Sequence, residues 1–266
     1  MFTIVQFSPT GNTAYIANLL SKHLNTSNVY ALEHTAAKTL LQSEHLIILF
    51  AVHAFNAPKT VMRFVRELPL NRYKKISLIG VGCSDLWVNN GASKEIRKML
   101  TKKSYQIVVD EIIAMPLTFI MSFPEDVIKG QLEKAYVITQ KIASNILNGV
   151  VSNKQIPFKS HLLSKIGKIE PIAARFFGLE LYAKKSCNQC GQCVRECPEH
   201  NIRLKDNGKI RFGFKCMMCM RCIYNCPQKS ITPKISKFIP IKNGYSIDRY
   251  VSKGAQEDKK VIKHEK

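Results

Sequence analysis

Eight of the nine cysteines fall in two copies of one spacing, Cys187-x2-Cys190-x2-Cys193-x3-Cys197-Pro198 and Cys216-x2-Cys219-x2-Cys222-x3-Cys226-Pro227. Thiolate sulfur is a soft ligand, and a tight loop with three cysteines at this spacing turns three sulfurs onto one compact ion, the ligand frame of an iron–sulfur cubane. The copies keep a constant offset of 29 residues, so the segment is an internal repeat. By the general rule for paired runs of this kind, the Cys before Pro ligates the opposite cluster. Applied here, Cys187, Cys190, Cys193 and Cys226 hold one [4Fe-4S] cluster, and Cys216, Cys219, Cys222 and Cys197 hold the other. Structural zinc fits less well, because zinc ribbons use two separated C-x2-C pairs without a third Cys at x2 or a fourth before Pro. A disulfide framework needs an oxidising compartment. The first residues, Met1-Phe2-Thr3-Ile4-Val5-Gln6-Phe7, lack the basic start and long apolar core of a secretory leader, so a cytoplasmic location is expected.

Between the repeats, Ile202-Arg203-Leu204-Lys205 and Lys209-Ile210-Arg211-Phe212 flank Asp206-Asn207-Gly208 and read as a short hairpin turning at Asn-Gly. Two ligand loops and a hairpin bury little apolar area, so the clusters are expected to supply much of this segment's folding energy. Met217, Met218 and Met220, set among the second group of ligands, read as soft packing around a cluster.

A second constellation lies at the N-terminus. An apolar strand-like run, residues 2–7, leads into Ser8-Pro9-Thr10-Gly11-Asn12-Thr13 and then a helical pattern over 14–23. The hydroxyls of Ser8, Thr10 and Thr13, with free N–H groups at the helix start, can satisfy a phosphate, while Gly11 permits close backbone approach. No Gly-Lys-Ser/Thr is present, which excludes a Walker A loop. Further strands read at 28–32, 45–51, 76–81 and 106–115, with helices at 58–68, 92–102 and 124–147. This alternation predicts an α/β fold, a doubly wound five-stranded parallel sheet with ligands at the carboxyl ends of its strands. The loops there are 8–13, 52–57 and 82–91, with 116–123 as a further wall. Phe55 and Trp87 are the aromatics in those loops that could stack on a planar ring.

Of the 266 residues, 40 are Lys or Arg and 19 Asp or Glu, a formal charge of +21. Residues 1–150 hold 16 basic against 10 acidic residues, and 151–266 hold 24 against 9. A basic rim on a redox segment suggests an acidic redox protein as partner, steered by charge through Lys184, Lys185, Arg195, Arg203, Lys205, Lys215 and Arg221. No nucleic-acid motif is present, so nucleic acid is not expected as a partner; anionic lipid is the competing use of the basic half. Residues 158–182 mix Lys and Arg with Phe176, Phe177, Leu179 and Leu181, an apolar face expected to pack between domains. The longest nearly apolar stretch, 112–123, is too short for a transmembrane segment. The charged stretch 252–266 reads as disordered.

The run Ser8-Pro9-Thr10-Gly11-Asn12-Thr13, the following βα units and the cysteine repeat together resemble the flavodoxin–ferredoxin fusions of EFR type, over residues 1 to about 233. The resemblance implies FMN, with Ser8, Thr10, Gly11, Asn12 and Thr13 holding its phosphate. It also implies that His53, Ala54, Phe55, Asn56, Ser84, Asp85, Trp87, Asn89, Asn90 and Gly91 flank its ring. The implied organisation is a flavodoxin-like domain at 1–150, a linker or helical segment at 151–182, an α+β 2[4Fe-4S] ferredoxin-like domain at 183–235 and a basic tail at 236–266. The implied function is electron transfer between the two clusters and FMN; the alternative is a flavin-dependent reductase of a small acceptor, fed by its ferredoxin domain. No second G-x-G-x-x-G fingerprint supports direct use of a nicotinamide cofactor. Cys83 stands outside the repeat and reads as a small buried packing residue, and the seven histidines show no metal-ligand spacing.

Overall fold

A computed structural model describes residues 1–84 and 87–251 of the protein; Asp85 and the charged stretch 252–266 lie outside the described residues. The N-terminal part alternates strand and helix: β1 (Phe2–Phe7), α1 (Asn12–His23), β2 (Val29–Ala31), β3 (His45–Ala51), α2 (Lys59–Glu67), β4 (Lys75–Gly82), α3 (Lys94–Lys102), β5 (Gln106–Ala114) and α4 (Glu125–Leu147). Strands β1, β3, β4 and β5 read as near-continuous apolar runs because helices cover both faces of the sheet, as a parallel sheet requires. One core layer joins Ile4, Ile47, Ile79 and Ile113 to α1 and α4. The other joins Val5, Phe7, Ile48 and Phe50 to α2 and α3.

With β6 at Ser152–Asn153, all neighbouring strands of this sheet pair in parallel, in the order β2-β1-β3-β4-β5-β6. The first five follow the 2-1-3-4-5 order of the flavodoxin-like fold, whose switch point lies between β1 and β3. Chain connections leave these two strands in opposite directions, so the loops 8–13 and 52–57 diverge and open a crevice between them. The sheet has six strands where five were expected. The sixth, β6 (Ser152–Asn153), is two residues long and is held by the Lys154 N–H on the Asp110 carbonyl (3.0 Å) and by Ser152 Oγ on Glu111 Oε1 (2.5 Å). A strand so short and polar has no alternating pattern to read.

The second part follows as α5 (Phe158–Gly167), α6 (Glu170–Glu180), β7 (Leu181–Ala183), α7 (Gln192–Arg195), β8 (Ile202–Leu204), β9 (Ile210–Phe212), α8 (Arg221–Tyr224) and β10 (Ile231–Pro233). Antiparallel pairing of β7 with β10 closes the cysteine repeat into one unit, and β8–β9 is the expected hairpin, its turn closed by the Gly208 N–H on the Lys205 carbonyl. The repeat extends to the backbone. Positive φ recurs at Gln189 and Met218, at Gly191 and Met220, and at His200 and Lys229, each pair 29 residues apart. The short helices α7 and α8 keep the same offset.

Residues 236–251, expected to belong to a basic tail, return to the first domain. Tyr245 and Ile247 are buried in the core layer of α1 and α4. The Tyr245 hydroxyl donates to Asn12 Oδ1, and the Ile120 N–H donates to the Ile239 carbonyl at 2.6 Å. Residues 151–182, expected as a linker or helical segment, form two helices: Ser160 Oγ donates to the Trp87 carbonyl, and Ser164 Oγ donates to Asn56 Oδ1 (2.6 Å).

Candidate redox site

Each set of four cysteines walls its own void. Cys187, Cys190, Cys193 and Cys226 line one, and Cys197, Cys216, Cys219 and Cys222 line the other. This is the crossed pairing expected from the spacing. The thiols also raise one another: Cys193 is raised by Cys187, Cys226 and Cys190, Cys216 and Cys219 by Cys197, and Cys222 by Cys219, Cys216, Cys197 and, across the two groups, Cys193. Burial is the larger cause, pushing Cys193 and Cys216 up to about 11 and Cys219 up to about 12. Iron binding must therefore displace protons that these thiols hold at neutral pH. Among the described residues no three His, Cys, Asp or Glu converge as for a single metal ion. The thiols enclose space instead, as a multi-atom cluster needs.

Backbone amides are aimed at the sulfurs with the same repeat symmetry. The Asn201 N–H donates to Cys197 Sγ and the Ser230 N–H to Cys226 Sγ, both at 3.3 Å, and the Met218 N–H donates to Cys216 Sγ at 3.4 Å. Such donors stabilise sulfur charge and so bear on cluster potential.

The second cage is bolted to the α/β domain. Glu199, two residues beyond Cys197, is buried and accepts from Thr60 Oγ1 (2.7 Å) while pairing with Lys59 (3.2 Å) and Arg63 (3.5 Å) of α2. Arg221, expected on the partner-facing rim, is buried: it pairs with Glu33, donates to the Ser8 carbonyl at 2.8 Å and lies 5.8 Å over the Phe7 ring. The phosphate loop and the second ligand loop thus share one guanidinium.

Beside this cage lies a cavity of about 380 Å³ at the strand ends. Pro9, Thr10, Asn12 and Thr13 form one wall, His53, Ala54 and Phe55 a second, Asn89 and Cys83 a third, and 116–119 a fourth. Met218, Cys219 and Met220 of the ligand loop complete it. Thr13 Oγ1 is buried without a hydrogen-bond partner, and the first turn of α1 offers amides that no intrahelical acceptor takes. A phosphate group at this end would satisfy both, so the loop fits the ligand class its sequence suggests. Gly11 has φ +100° and a Cβ there would come within 2.9 Å of Ile247, so only glycine suits the position.

Not every expected contact reaches the cavity. The Ser8 hydroxyl accepts from the Ala14 N–H (2.9 Å) and shapes the loop from behind. The Asn12 amide is committed to the Pro116 carbonyl (2.8 Å) and Tyr245, so it ties loops together. Ala54 and Phe55 both take positive φ inside the turn His53–Asn56, a strained backbone that holds the loop against the cavity. His53 is half-buried, with its pKa lowered to about 4 by desolvation, and presents a neutral ring that hydrogen-bonds the Met217 backbone. Asn56, Trp87, Asn90 and Gly91 face the segment 155–164 instead, through bonds or contacts with Ser164, Ser160 and Gln155. They lie outside the cavity because α5 occupies that side. Ser84 accepts from Asn89 through its carbonyl (3.4 Å) and does not line the cavity. Cys83, expected to be buried, is exposed.

The residues that sequence reasoning missed are those brought in from the second part. Met218 and Met220, read only as cluster packing, also wall the cavity, and Glu170 lines it from the start of α6. Burial raises the pKa of Glu170 to about 7, against the opposing charge of Lys59.

Residues 186–231 match the family described as a 4Fe-4S dicluster domain. No curated protein matches the chain. Similar solved structures include a flavodoxin from the domain Archaea, at 15% identity over 55% of this chain and 99% of that one, TM-score 0.37. A flavodoxin of Streptococcus pneumonia TIGR4 has 18% identity over 54% and 98%, TM-score 0.38. The two-electron reduced flavodoxin of Megasphaera elsdenii has 16% identity over 54% and 99%, TM-score 0.36. The fold assignment stands on the strand order rather than on these likenesses. The chain thus joins an α/β domain with flavodoxin-like strand order to a segment, 186–231, that matches a 4Fe-4S dicluster domain.

Proposed function

We propose that the protein transfers electrons between two [4Fe-4S] clusters and an FMN held in the strand-end cavity. The observation that carries this reading is Cys219, which lines both the second thiol cage and that cavity. Cubanes pass single electrons and a flavin stores one or two, so their union joins one-electron carriers to two-electron chemistry. The amides at the start of α1, with Thr10 and Thr13, bind the phosphate. The 54–55 turn and Asn89 flank the ring, while Met218 and Met220 keep water from the space beside Cys219.

The first cage is the entry point. Cys190 is exposed, and Arg195 donates to its carbonyl at 2.9 Å. Exposed Lys184, Lys185, Arg203, Lys205 and Lys215 add the positive field that an acidic redox protein would follow. Eight thiols that must remain reduced suit a reducing compartment.

Anaerobic photoreduction followed by rapid optical spectroscopy tests the reading. Electrons given to the clusters should reach the flavin at a rate independent of protein concentration, since donor and acceptor share one chain. A rate that rises with concentration contradicts it.

Glu170 favours a second reading, a reductase acting on a small acceptor in the same cavity. A carboxyl that holds its proton near neutral pH can deliver it as an acceptor gains two electrons. Turnover of an added acceptor without any carrier protein distinguishes this from a pure carrier.

A further inference from the structure

Helices α5 and α6 are built inside out. Their inward face carries mainly small residues, Ser160, Ser164, Gly167, Ala174 and Gly178, all buried, with Phe177 the one large side chain among them. A Cβ on Gly167 would meet the Ala54 carbonyl oxygen at 1.8 Å, and one on Gly178 would meet Cys216 Cβ at 2.3 Å, so the helices lie directly on the cavity loop and the second ligand loop. The outward face carries Phe158, Leu162, Ile166, Ile169, Ile172, Phe176 and Leu179, all exposed. Their spacing of three and four residues puts them on one face of each helix. Beside this stripe, Phe214 stacks edge-on against Phe176 at 5.6 Å. The loop after β10 is pinned to the end of α6 by the Ile235 and Ser236 N–H groups on Glu180, and it projects Ile235 (84% exposed) and Phe238 (70%).

We propose that this stripe seats the protein on an anionic lipid surface. The charges around it decide between occupants. Residues 154–180 carry Lys154, Lys159, Lys165, Lys168 and Arg175 against two acids, Glu170, which lines the cavity, and Glu180, which holds the 235–236 amides; Lys168 pairs with Glu95 (2.9 Å), which leaves Lys154, Lys159, Lys165 and Arg175. Lys234 and Lys237 flank the projecting loop. Protein interfaces deplete lysine, whereas a helix lying in a membrane interface combines lysine with phenylalanine and leucine. Single side chains that stand as far out as Phe158 (83% exposed), Ile235 and Phe238 suit insertion among lipids rather than a flat protein contact. No helix among the described residues is long and apolar enough to cross a membrane, so the association is peripheral. The second ligand loop then lies behind α6, on the side of the helix away from the lipid, where Gly178 meets Cys216.

The test is co-sedimentation of the cluster-loaded full chain with vesicles, under anaerobic conditions. The protein should bind vesicles of phosphatidylcholine mixed with phosphatidylglycerol, bind phosphatidylcholine alone less, and lose affinity as salt rises. Phe158→Ser with Ile172→Ser changes only outward side chains; it should weaken binding roughly tenfold or more while leaving the cluster absorbance intact. Failure to bind the mixed vesicles, or equal binding by this variant, overturns the proposal. So does a concentration-dependent dimer that the same variant abolishes, because the stripe would then cover a second copy.

Discussion

The buried pair Arg221–Glu33 ties the second ligand loop to the α/β domain, and breaking it from either side should have unequal costs. The two side chains are 8% and 5% exposed. If Arg221 is replaced by Met, the packing over Phe7 is largely kept, but Glu33 is left with a buried charge and no partner, its Oε2 already having none. Removing one member of a buried ion pair costs about 3–5 kcal/mol. Glu33→Gln should cost less, because Arg221 keeps the carbonyls of Ser8 (2.8 Å) and Glu196 (3.3 Å). The double variant should be more stable than the sum of the two single losses, with a coupling of about 1–3 kcal/mol. Anaerobic urea unfolding followed by circular dichroism measures this. For a slope of about 3 kcal/mol per molar urea, Arg221→Met lowers the midpoint by roughly 1–1.7 M. A loss under about 0.3 M, or strict additivity in the double variant, would refute the argument that this pair joins the domains.

Cys197→Ser should damage mainly the cluster held by Cys216, Cys219 and Cys222, read by iron counting and electron paramagnetic resonance; selective loss of the other cluster contradicts the crossing. Thr10→Ala with Thr13→Ala removes the two hydroxyls assigned to the phosphate under the proposed function, each worth about 1.5–3 kcal/mol, so flavin affinity should fall by about a hundredfold or more while iron content is unchanged. Fluorescence titration with FMN measures it, and unaltered affinity counts against the phosphate loop. Glu170 has its folded pKa raised to about 7 by burial, so its contribution to stability is fully present below about 4.5 and is lost as pH rises through about 7. Thermal midpoints should therefore decline across that window, and Glu170→Gln should flatten the decline; an identical slope in the variant removes Glu170 as its source.

What the sequence made legible is local in the chain. The cysteine frame has all its ligand spacings within one short repeat, and the phosphate loop is a single run between a strand and a helix. The strands buried on both faces announce themselves as apolar runs, so the sheet was readable apart from β6, whose two residues have no pattern. Long-range placements were not readable. Tyr245 and Ile247 sit in a basic stretch that resembles a tail, yet they close the phosphate loop from outside. Arg221 looked like one more rim cation because nothing near it in sequence marks Glu33 as its partner, 188 positions away. Trp87 stands in a ring-binding loop by sequence, but α5 draws the loop's backbone toward Ser160. The stretch 158–182 was legible as apolar and basic and expected to pack between domains; in the structure Phe177 and Leu181 are buried, whereas Phe176 and Leu179 stand exposed.

The central claim is that one chain holds both cubanes and a flavin, with the second cage against the flavin cavity. The most direct test is a count of iron, acid-labile sulfide and released flavin per chain after anaerobic purification, with the flavin identified chromatographically. The account predicts about eight irons, about eight sulfides and about one FMN. A full complement of iron with no flavin, even after incubation with FMN, would contradict it.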